Sequence, residues 1–148
     1  MKSIFFVLCL VTPVFSMAQA VPFDQCFSEA AQRFSINKSL LMAIAKTESN
    51  LNPRAIGPTN KNGSFDIGLM QINSGWLPTL DRYGISYADL RLACTNIYVG
   101  AWIMANNISS HGQTWKAVEA YNAKTTSKRE IYVSKVRKNL NELQMASN

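Results

Sequence analysis

Residues 37–53 read NKSLLMAIAKTESNLNP, and this stretch predicts one amphipathic helix with defined ends. Its apolar residues recur at spacings of three and four, as they do on one face of an α-helix. Asn37 belongs to the residue types that favour the N-cap position, so the helix is predicted to begin there. Asn52-Pro53 closes the segment, because the residue before a proline is disfavoured in the helical conformation. The helix is therefore expected to end at about Ser49.

One polar residue interrupts the apolar face of this helix. The residues that share the face by spacing are Leu41, Ile44, Glu48 and Leu51. A glutamate near a helix end can turn outward to water, which is one interpretation of Glu48. If Glu48 points inward, desolvation disfavours its charged form and raises its pKa. A carboxylic acid that stays protonated near neutral pH can serve as a general acid on a poor leaving group, such as a glycosidic oxygen.

The helical period continues on both sides of this segment. Further helices are predicted at residues 23–34, 67–73, 74–83, from 86, 94–109, 115–121 and from 127. Ser86 and Asp89 are predicted to open one of them as a capping box, and Ser127 and Glu130 another. The last helix is expected to have an apolar side made of Ile131, Val133, Val136, Leu140 and Leu143. Turn-forming residues fill positions 54–66, where a small hairpin fits. The chain has no repeats and no convincing series of alternating strands. The predicted fold class is mainly α: one compact domain of short helices with at most a minor β-hairpin.

The first twenty residues have the layout of a secretory signal peptide. Lys2 precedes an apolar run over residues 4–15, and the small-x-small sequence of residues 18–20 follows. Cleavage is predicted after residue 20, which leaves residues 21–148 as the mature domain. The alternative is an uncleaved anchor, but the run is short for a hydrocarbon core of ~30 Å and contains Pro13. We expect an exported, periplasmic protein.

Charge and cysteine counts exclude several classes of protein. The chain has 148 residues, 15 Lys+Arg, 9 Asp+Glu and a single histidine, His111, with a formal net charge of +6. One His and scattered cysteines cannot build the usual four-ligand zinc site, so we expect no metal and no cofactor. Cys9 lies in the predicted signal peptide, which leaves Cys26 and Cys94. In an oxidising compartment an isolated pair predicts one disulfide, the alternative being two free buried thiols.

Three short motifs follow one another along the chain. Glu48-Ser49 comes first, Gly-Leu-Met-Gln-Ile-Asn occupies residues 68–73, and Ala-Tyr-Asn occupies residues 120–122. Together they resemble the lytic transglycosylases of the soluble-lytic-transglycosylase type, in the lysozyme-like superfamily. The resemblance is closest to the small exported members that accompany specialised secretion, conjugation and pilus systems. It spans roughly residues 23–125 and implies a lysozyme-like α+β fold.

The resemblance implies cleavage of peptidoglycan between N-acetylmuramic acid and N-acetylglucosamine, leaving a 1,6-anhydro end. Glu48 would protonate the bridging oxygen and then, as a carboxylate, remove the proton of the muramic acid C6 hydroxyl as that oxygen closes onto C1. No water attacks, so this chemistry needs no second carboxylate, unlike the usual two-carboxylate glycosidases.

The resemblance also assigns further residues to the cleft. They are Ser49, Met70, Gln71, Tyr121 and Asn122. Gln71 is expected on the sugar and Tyr121 near the acid. Met70 is expected as a wall or core residue, and Ser49 as a residue that orients its surroundings. Asn122 either holds the loop after Tyr121 or binds sugar.

One position departs from the family pattern. Family members often carry a polar residue, commonly serine, about nine positions after the glutamate, where it helps to hold the acetamido group. Here that position is Gly57. Thr59, Asn62 and Ser64 are the candidates that could replace it.

Two other functions remain open at this point. A hydrolytic muramidase would need a second carboxylate, for which Asp66 is the candidate, and a non-catalytic wall-binding assembly module would need none. Basic residues are concentrated near the C-terminal end of the chain: Lys124, Lys128, Arg129, Lys135, Arg137 and Lys138. They indicate either a solvated helix face or attraction to the carboxylates of peptidoglycan stems. The expected partners are glycan strands and components of a secretion, conjugation or pilus apparatus. We expect a monomer and no binding to nucleic acid.

Overall fold

The computed structural model describes residues 23–122 and 126–146, and the predicted signal peptide lies outside them. Within those residues the helices are α1 (Asp24–Phe34), α2 (Lys38–Ser49), α3 (Leu77–Asp81), α4 (Tyr87–Leu90), α5 (Ala93–His111), α6 (Trp115–Tyr121) and α7 (Thr126–Ala146). A two-stranded antiparallel hairpin of β1 (Asp66–Ile67) and β2 (Ile72–Asn73) precedes a short 3-10 turn at Ser74–Trp76. The predicted mainly α class with a minor hairpin is confirmed.

Helix α5 lies at the centre of the domain. It packs against α1, α4, α6 and strand β2, while α2 packs against α7. Its buried residues include Ile97, Val99 and Met104, on more than one side of the helix, as expected for a helix enclosed by others. Across the described ranges, no helix has the length and apolar character needed to cross a membrane.

Helix α2 has the ends that its sequence predicts. The Asn37 side chain accepts a hydrogen bond from the Leu40 amide at 3.1 Å, and Asn50 ends the helix in the left-handed conformation, with φ 54°. Leu41 and Ile44 are fully buried, and each contributes ~1.5–3 kcal/mol through burial. These contacts fix the rotation of the helix and place Glu48 in its last turn.

The predicted disulfide is present between Cys26 on α1 and Cys94 on α5. Their Cα atoms are 5.2 Å apart, although the residues are 68 positions apart in sequence. A cross-link that closes a loop of that length lowers the conformational entropy of the unfolded chain, which stabilises the folded state by ~4 kcal/mol. The bridge thus fastens the N-terminal helix to the central one.

Helix α7 lies along α2 and holds it by polar contacts near the end that carries Glu48. The Lys46 ammonium donates to the Glu142 carboxylate at 2.6 Å, and the Asn139 amide donates to the Thr47 hydroxyl at 2.9 Å. The Lys46 partner lowers the pKa of Glu142, chiefly by this hydrogen bond.

Two details of α7 correct the sequence prediction. The helix begins at Thr126, so the predicted cap Ser127 lies inside it. The expected apolar face included Ile131, which is 59% exposed, whereas Tyr132 is buried. Tyr132 belongs to the stripe at spacings of four and three that continues through Val136 and Leu140, and Ile131 is rotated about 100° away from it.

The segment at residues 67–73 was expected to be a short helix, and that prediction is wrong. It forms the hairpin instead, with Ile67 paired to Ile72. The connection is stabilised by Asn96, a buried residue of α5, whose amide donates to the Ile67 carbonyl and accepts from the Met70 amide, at 2.9 and 2.7 Å. A side chain from a distant helix thus supplies the backbone partners that a local helix would have supplied.

Gly68 allows this contact. Its φ is +75°, and a Cβ added at this position would lie 2.5 Å from the Asn96 amide nitrogen. A residue with a side chain would therefore be strained in its backbone and would displace Asn96. The close approach at Gly68 is thus an approach to the Asn96 side chain.

Candidate active site

A cleft of about 340 Å³ lies between the end of α2, the hairpin, α5 and the end of α6. The residues that line it come from each of these elements. They are Glu48, Asn60, Asp66, Gln71, Ile72, Asn73, Trp76, Ile103, Asn107, Ala120, Tyr121 and Asn122. Four of the residues singled out from the sequence, Glu48, Gln71, Tyr121 and Asn122, therefore meet at one site.

Glu48 lies on the cleft wall, one residue before the end of α2. It is half-buried, because the apolar residues of its helix face the core while the last turn reaches the edge of the cleft. Of the two interpretations that the sequence left open, the structure favours the cleft over bulk solvent. The carboxylate has tyrosine neighbours from two other helices, α6 and α7.

Tyr121 is one of these neighbours. Its hydroxyl donates to the Met70 carbonyl oxygen at 3.0 Å. Part of the residue is exposed, but the hydroxyl lies within the protein, and this burial raises the pKa of Tyr121 well above its usual value. The negative charges of Glu48 and Asp66 raise the pKa further. Tyr121 is therefore a neutral hydroxyl donor at any ordinary pH.

Tyr132 is the second neighbour. Burial raises its pKa well above the usual value, and the charge and hydrogen-bonding proximity of Glu48 add to the rise. The hydroxyl nevertheless has no hydrogen bond of ordinary length and angle to residues 23–122 or 126–146. We conclude that the Tyr132 hydroxyl and the Glu48 carboxylate are close but imperfectly aligned. Two neutral phenols thus flank the glutamate.

Gln71 reaches the cleft from the hairpin connection. Its φ is +50°, an uncommon conformation for a residue with a side chain. The side-chain amide donates to the Gly68 carbonyl oxygen at 2.8 Å and makes a longer contact of 3.4 Å to that of Ala55. These bonds fix the amide plane at the cleft wall.

Ser49 and Met70 belong to the framework of the site. The Ser49 hydroxyl donates to the Leu69 carbonyl oxygen at 2.7 Å and accepts from the Asn52 amide at 3.0 Å, so it ties the end of α2 to the hairpin. The Met70 side chain is fully buried, and a Cβ on Gly100 of α5 would collide with it. Neither side chain lines the cleft: Met70 lies in the core, and Ser49 joins two backbone segments. Met70 acts there through its backbone carbonyl.

The position that departs from the family pattern lies beside Gln71. A Cβ added to Gly57 would be 3.1 Å from the Cβ of Asp66 and 3.2 Å from the Gln71 side-chain oxygen. The expected replacements Thr59, Asn62 and Ser64 do not line the cleft. Asn60 and Asn73 line it instead, and the amides of both donate to the Ser64 hydroxyl, at 3.0 and 3.2 Å.

Asp66, the candidate second carboxylate, lies in β1 and lines the same cleft as Glu48. One of its oxygens accepts a hydrogen bond from the Asn73 amide across the hairpin, at 2.9 Å. Its charge reaches Tyr121, whose pKa it helps to raise. In the described ranges, no group of three His, Cys, Asp or Glu side chains is arranged to hold a metal ion.

Comparison with known families decides what kind of domain holds this cleft. The chain matches the family described as the Transglycosylase SLT domain over residues 25–143, which includes all three motifs. The chain belongs to this family. The match thus confirms the resemblance of the motifs to lytic transglycosylases. Membership of the family supports a peptidoglycan-lytic type of role for this SLT domain.

Several curated relatives are similar over most of their length. The chain is 42% identical over 123 residues to the invasion protein IagB of Salmonella typhimurium, covering 80% of this chain and 76% of that protein. It is 38% identical over 106 residues to the protein IpgF of Shigella flexneri, covering 71% and 69% respectively. A putative peptidoglycan-binding-like protein of Escherichia coli is 37% identical over 125 residues, covering 80% and 77%.

Several residues that build the site of this SLT domain were not among those predicted from the sequence. They are Asn60, Asn73, Trp76, Asn96, Asn107 and Tyr132. Asn96 and Asn107 could have been noticed in the sequence, because each is a polar residue in a mostly apolar helix. Tyr132 could have been noticed as well, because it continues the apolar stripe of α7. The asparagines of the loop and hairpin become visible only once the chain is folded.

Asn107 differs from the other polar residues of the cleft. Its side-chain nitrogen is buried and has no hydrogen-bond partner in the part of the chain that the structure describes. A buried donor without a partner is uncommon in folded proteins. Because this one belongs to a residue that lines the cleft, it is a donor that a bound ligand can satisfy.

Proposed function

We propose that this SLT domain is an exported peptidoglycan lytic transglycosylase that cleaves the β-1,4 bond between N-acetylmuramic acid and N-acetylglucosamine without using water. The observation that carries the proposal is the convergence of Glu48, Tyr121 and Gln71 on one cleft, in a chain of this family. The cleft offers one glutamate flanked by neutral hydroxyls, which suits a reaction in which a single group both donates and accepts a proton.

Glu48 is the catalytic residue in this proposal. In the first step it donates its proton to the bridging oxygen, while the bond from that oxygen to C1 of the muramic acid breaks. In the second step the C6 hydroxyl oxygen of the same sugar bonds to C1, and its proton passes to Glu48. The glutamate is then protonated again, the leaving sugar carries a hydroxyl, and the other product is an anhydro sugar. No atom of water enters.

Tyr121 and Tyr132 support Glu48 in both steps. Their hydroxyls keep their protons because burial and the glutamate charge raise the pKa of each. The Tyr132 hydroxyl, a neutral donor beside the carboxylate, stabilises the charged form that Glu48 takes between the two steps. The single hydroxyl proton of Tyr121 is donated to the Met70 carbonyl oxygen instead. Tyr121 thus holds the hairpin and is a positioning residue.

The remaining polar residues of the cleft bind sugar in this proposal. Gln71, Asn73 and Asn107 present amide groups to the cleft, which match the hydroxyl and acetamido groups of peptidoglycan. Asn122 also lines the cleft, which favours sugar binding over a role confined to its loop. Family members often carry a polar residue at the position of Gly57. In this chain Asn60, whose side chain donates to Ser64, takes its place.

A hydrolytic muramidase is the second candidate, because Asp66 lines the same cleft. An Asp66 carboxylate that activated a water would give a reducing end in place of an anhydro end. We favour the non-hydrolytic reaction, since one oxygen of Asp66 is engaged by Asn73 within the hairpin. A non-catalytic module that binds the wall is the third candidate, and it requires that Glu48 be dispensable.

We further propose that residues 1–20 direct export and are cleaved off, and that the mature protein acts in the periplasm. The disulfide between Cys26 and Cys94 fits an oxidising compartment. One relative is called an invasion protein, and from this similarity we infer that the chain opens the wall locally for a secretion, conjugation or pilus apparatus. The basic residues of α7 would add attraction to the carboxylates of peptidoglycan stems.

The test compares the release of soluble fragments from purified sacculi by the mature protein and by Glu48→Gln. Loss of the general acid is expected to lower the rate by ~10²–10⁴-fold. Glu29→Gln is the matched control, because Glu29 is an exposed residue of α1 outside the cleft, and it should retain full activity. Equal rates for Glu48→Gln and the parent would refute a catalytic function at this site.

A further inference from the structure

A second groove has Trp102 in its wall, and Trp102 contacts Trp76 of the cleft that contains Glu48. The groove has a volume of about 270 Å³, and aromatic side chains form much of its wall: Phe34 from α1, Tyr83 from the turn after α3, and Tyr98 and Trp102 from α5. Arg33 is the one charged residue among those described that line it. No part of the mechanism above uses this groove.

The aromatic rings of the groove are unusually accessible. Tyr83 is 71% exposed and Tyr98 is 41% exposed. They are held in place by neighbouring rings, since Tyr98 packs edge-on against Phe34 at 5.0 Å between ring centroids, and Tyr83 lies 6.4 Å from Trp102. Exposed rings in fixed positions form a preorganised surface for a ligand with apolar faces.

The groove is joined to the cleft by two tryptophans. Trp76 lines the cleft that contains Glu48, and Trp102 lines the groove. Their rings meet edge to face, with centroids 5.4 Å apart. The two sites are thus linked by one tryptophan from each, and Tyr83 lies in the groove at 6.4 Å from the Trp102 ring.

We propose that this aromatic groove binds the continuation of the glycan strand whose scissile bond lies at Glu48. The inference rests on the proposed function, because it assigns further sugars of the same substrate. A pyranose ring has an apolar face of C–H groups and a polar rim, and it packs on an aromatic ring while its hydroxyls stay in water. Tyrosine and tryptophan suit such a ligand, because each combines an apolar ring with a polar group.

Arg33 narrows the class of ligand. It stands at the end of α1, beside Phe34, and brings a permanent positive charge to an otherwise uncharged groove. The peptide stems of peptidoglycan carry carboxylates, and a guanidinium pairs with a carboxylate through two parallel hydrogen bonds. The groove therefore favours a strand that still bears its stems over a bare glycan.

The experiment measures equilibrium binding to purified glycan strands in the Glu48→Gln background. Four probes are used: short and long strands, each with stems intact and with stems removed by an amidase. Mass analysis after each titration verifies that the strands remain uncut. Tyr83→Ala is the test variant, since Tyr83 is mostly exposed. Tyr87→Ala is the matched control, because Tyr87 is an exposed tyrosine outside the groove.

The proposal predicts a loss for long strands only. Tyr83→Ala should weaken binding of long strands by about fivefold or more, which corresponds to ~1 kcal/mol, and should leave short strands and the thermal melting temperature unchanged. Tyr83→Phe should restore binding, because it keeps the ring. Arg33→Gln should weaken only strands that carry stems. Tyr87→Ala should bind all four probes as the background does.

Three results would overturn the proposal. The first is equal affinity of Tyr83→Ala and its background for long strands. The second is an equal loss for short and long strands. The third is a change of oligomeric state in Tyr83→Ala by sedimentation, which would make the groove a contact between copies of the chain. None of them depends on whether Glu48 is catalytic, so the proposed function is judged separately by the products of cleavage.

Discussion

The hydroxyl of Tyr121 donates a 3.0 Å hydrogen bond to the carbonyl oxygen of Met70, across 51 positions of sequence. This bond connects the last residue of α6 to the connection of the hairpin. It holds the neutral phenol of Tyr121 near Glu48, whose charge helps to raise the pKa of Tyr121. The site depends on this contact for its shape as well as for its chemistry.

Tyr121→Phe tests that dependence. Removal of the hydroxyl leaves the Met70 carbonyl oxygen without this donor, which should cost ~1 kcal/mol of unfolding free energy. We expect a larger effect on activity, at least about tenfold in kcat, because a small displacement of catalytic groups is amplified in rate. Urea unfolding and sacculus digestion measure the two effects. Tyr87→Phe is the control, and a Tyr121→Phe enzyme with the parent's kcat would contradict the assignment.

Gly68→Ala tests the role of Asn96 in forming the hairpin. Gly68 and Gly63 both have positive φ values, +75° and +80°, but an added Cβ collides with Asn96 only at Gly68. Gly63→Ala should therefore show the backbone strain alone, ~1–2 kcal/mol. Gly68→Ala should cost ~1–3 kcal/mol more, because the Asn96 hydrogen bonds are displaced as well. Equal losses in chemical denaturation would mean that Asn96 does not hold the connection.

Asn107→Ala tests the buried donor of the cleft. Because its side-chain nitrogen has no hydrogen-bond partner in the described ranges, its removal should not reduce stability. If it binds sugar, KM for soluble glycan strands should rise by about fivefold or more, which corresponds to ~1 kcal/mol. Asn106→Ala is the control, since Asn106 is an exposed neighbour on α5 and lies outside the cleft. A stability loss with an unchanged KM would indicate a purely structural residue.

Alkaline pH should destabilise the protein through its two buried phenols. The pKa values of Tyr121 and Tyr132 are raised in the folded state, so the folded protein binds more protons than the unfolded chain above pH ~10. The free energy of unfolding is therefore expected to fall as the pH rises beyond that value. Tyr132→Phe should show a shallower fall over the same range.

Absorbance of tyrosinate gives an independent reading of this effect. Tyr121 and Tyr132 should ionise only together with the loss of helical circular dichroism. If Tyr121 and Tyr132 ionised near pH ~10 while the helices remained intact, the two phenols could not be enclosed as described.

Features encoded by neighbouring residues were predictable from the sequence. The Asn37 cap and the capping box of Ser86 and Asp89 both form as expected, because each needs only residues three positions apart. The Asp89 carboxylate accepts from Ser86, which lowers the pKa of Asp89. The disulfide was predictable for another reason, since only two cysteines remain once the signal peptide is set aside.

Features encoded by distant residues were not predictable. The segment at residues 67–73 has the apolar period of a short helix, and the hairpin connection is held instead by side chains distant in sequence, among them Asn96 of α5. The motifs placed Glu48, Gln71 and Tyr121 in one site, but they could not show that Met70 contributes a backbone oxygen rather than a side chain. Tyr132 was missed because the face that α7 buries depends on how it packs against α2.

The mass of the new chain ends distinguishes cleavage without water by Glu48 from hydrolysis. Sacculi are digested by the mature protein in water enriched in the heavy oxygen isotope, and the fragments are analysed by mass spectrometry. We predict ends that are one water lighter than reducing ends and contain no heavy oxygen, with no such ends formed by Glu48→Gln. Reducing ends that carry the heavy isotope would show that water attacks C1 and would make the enzyme a hydrolase.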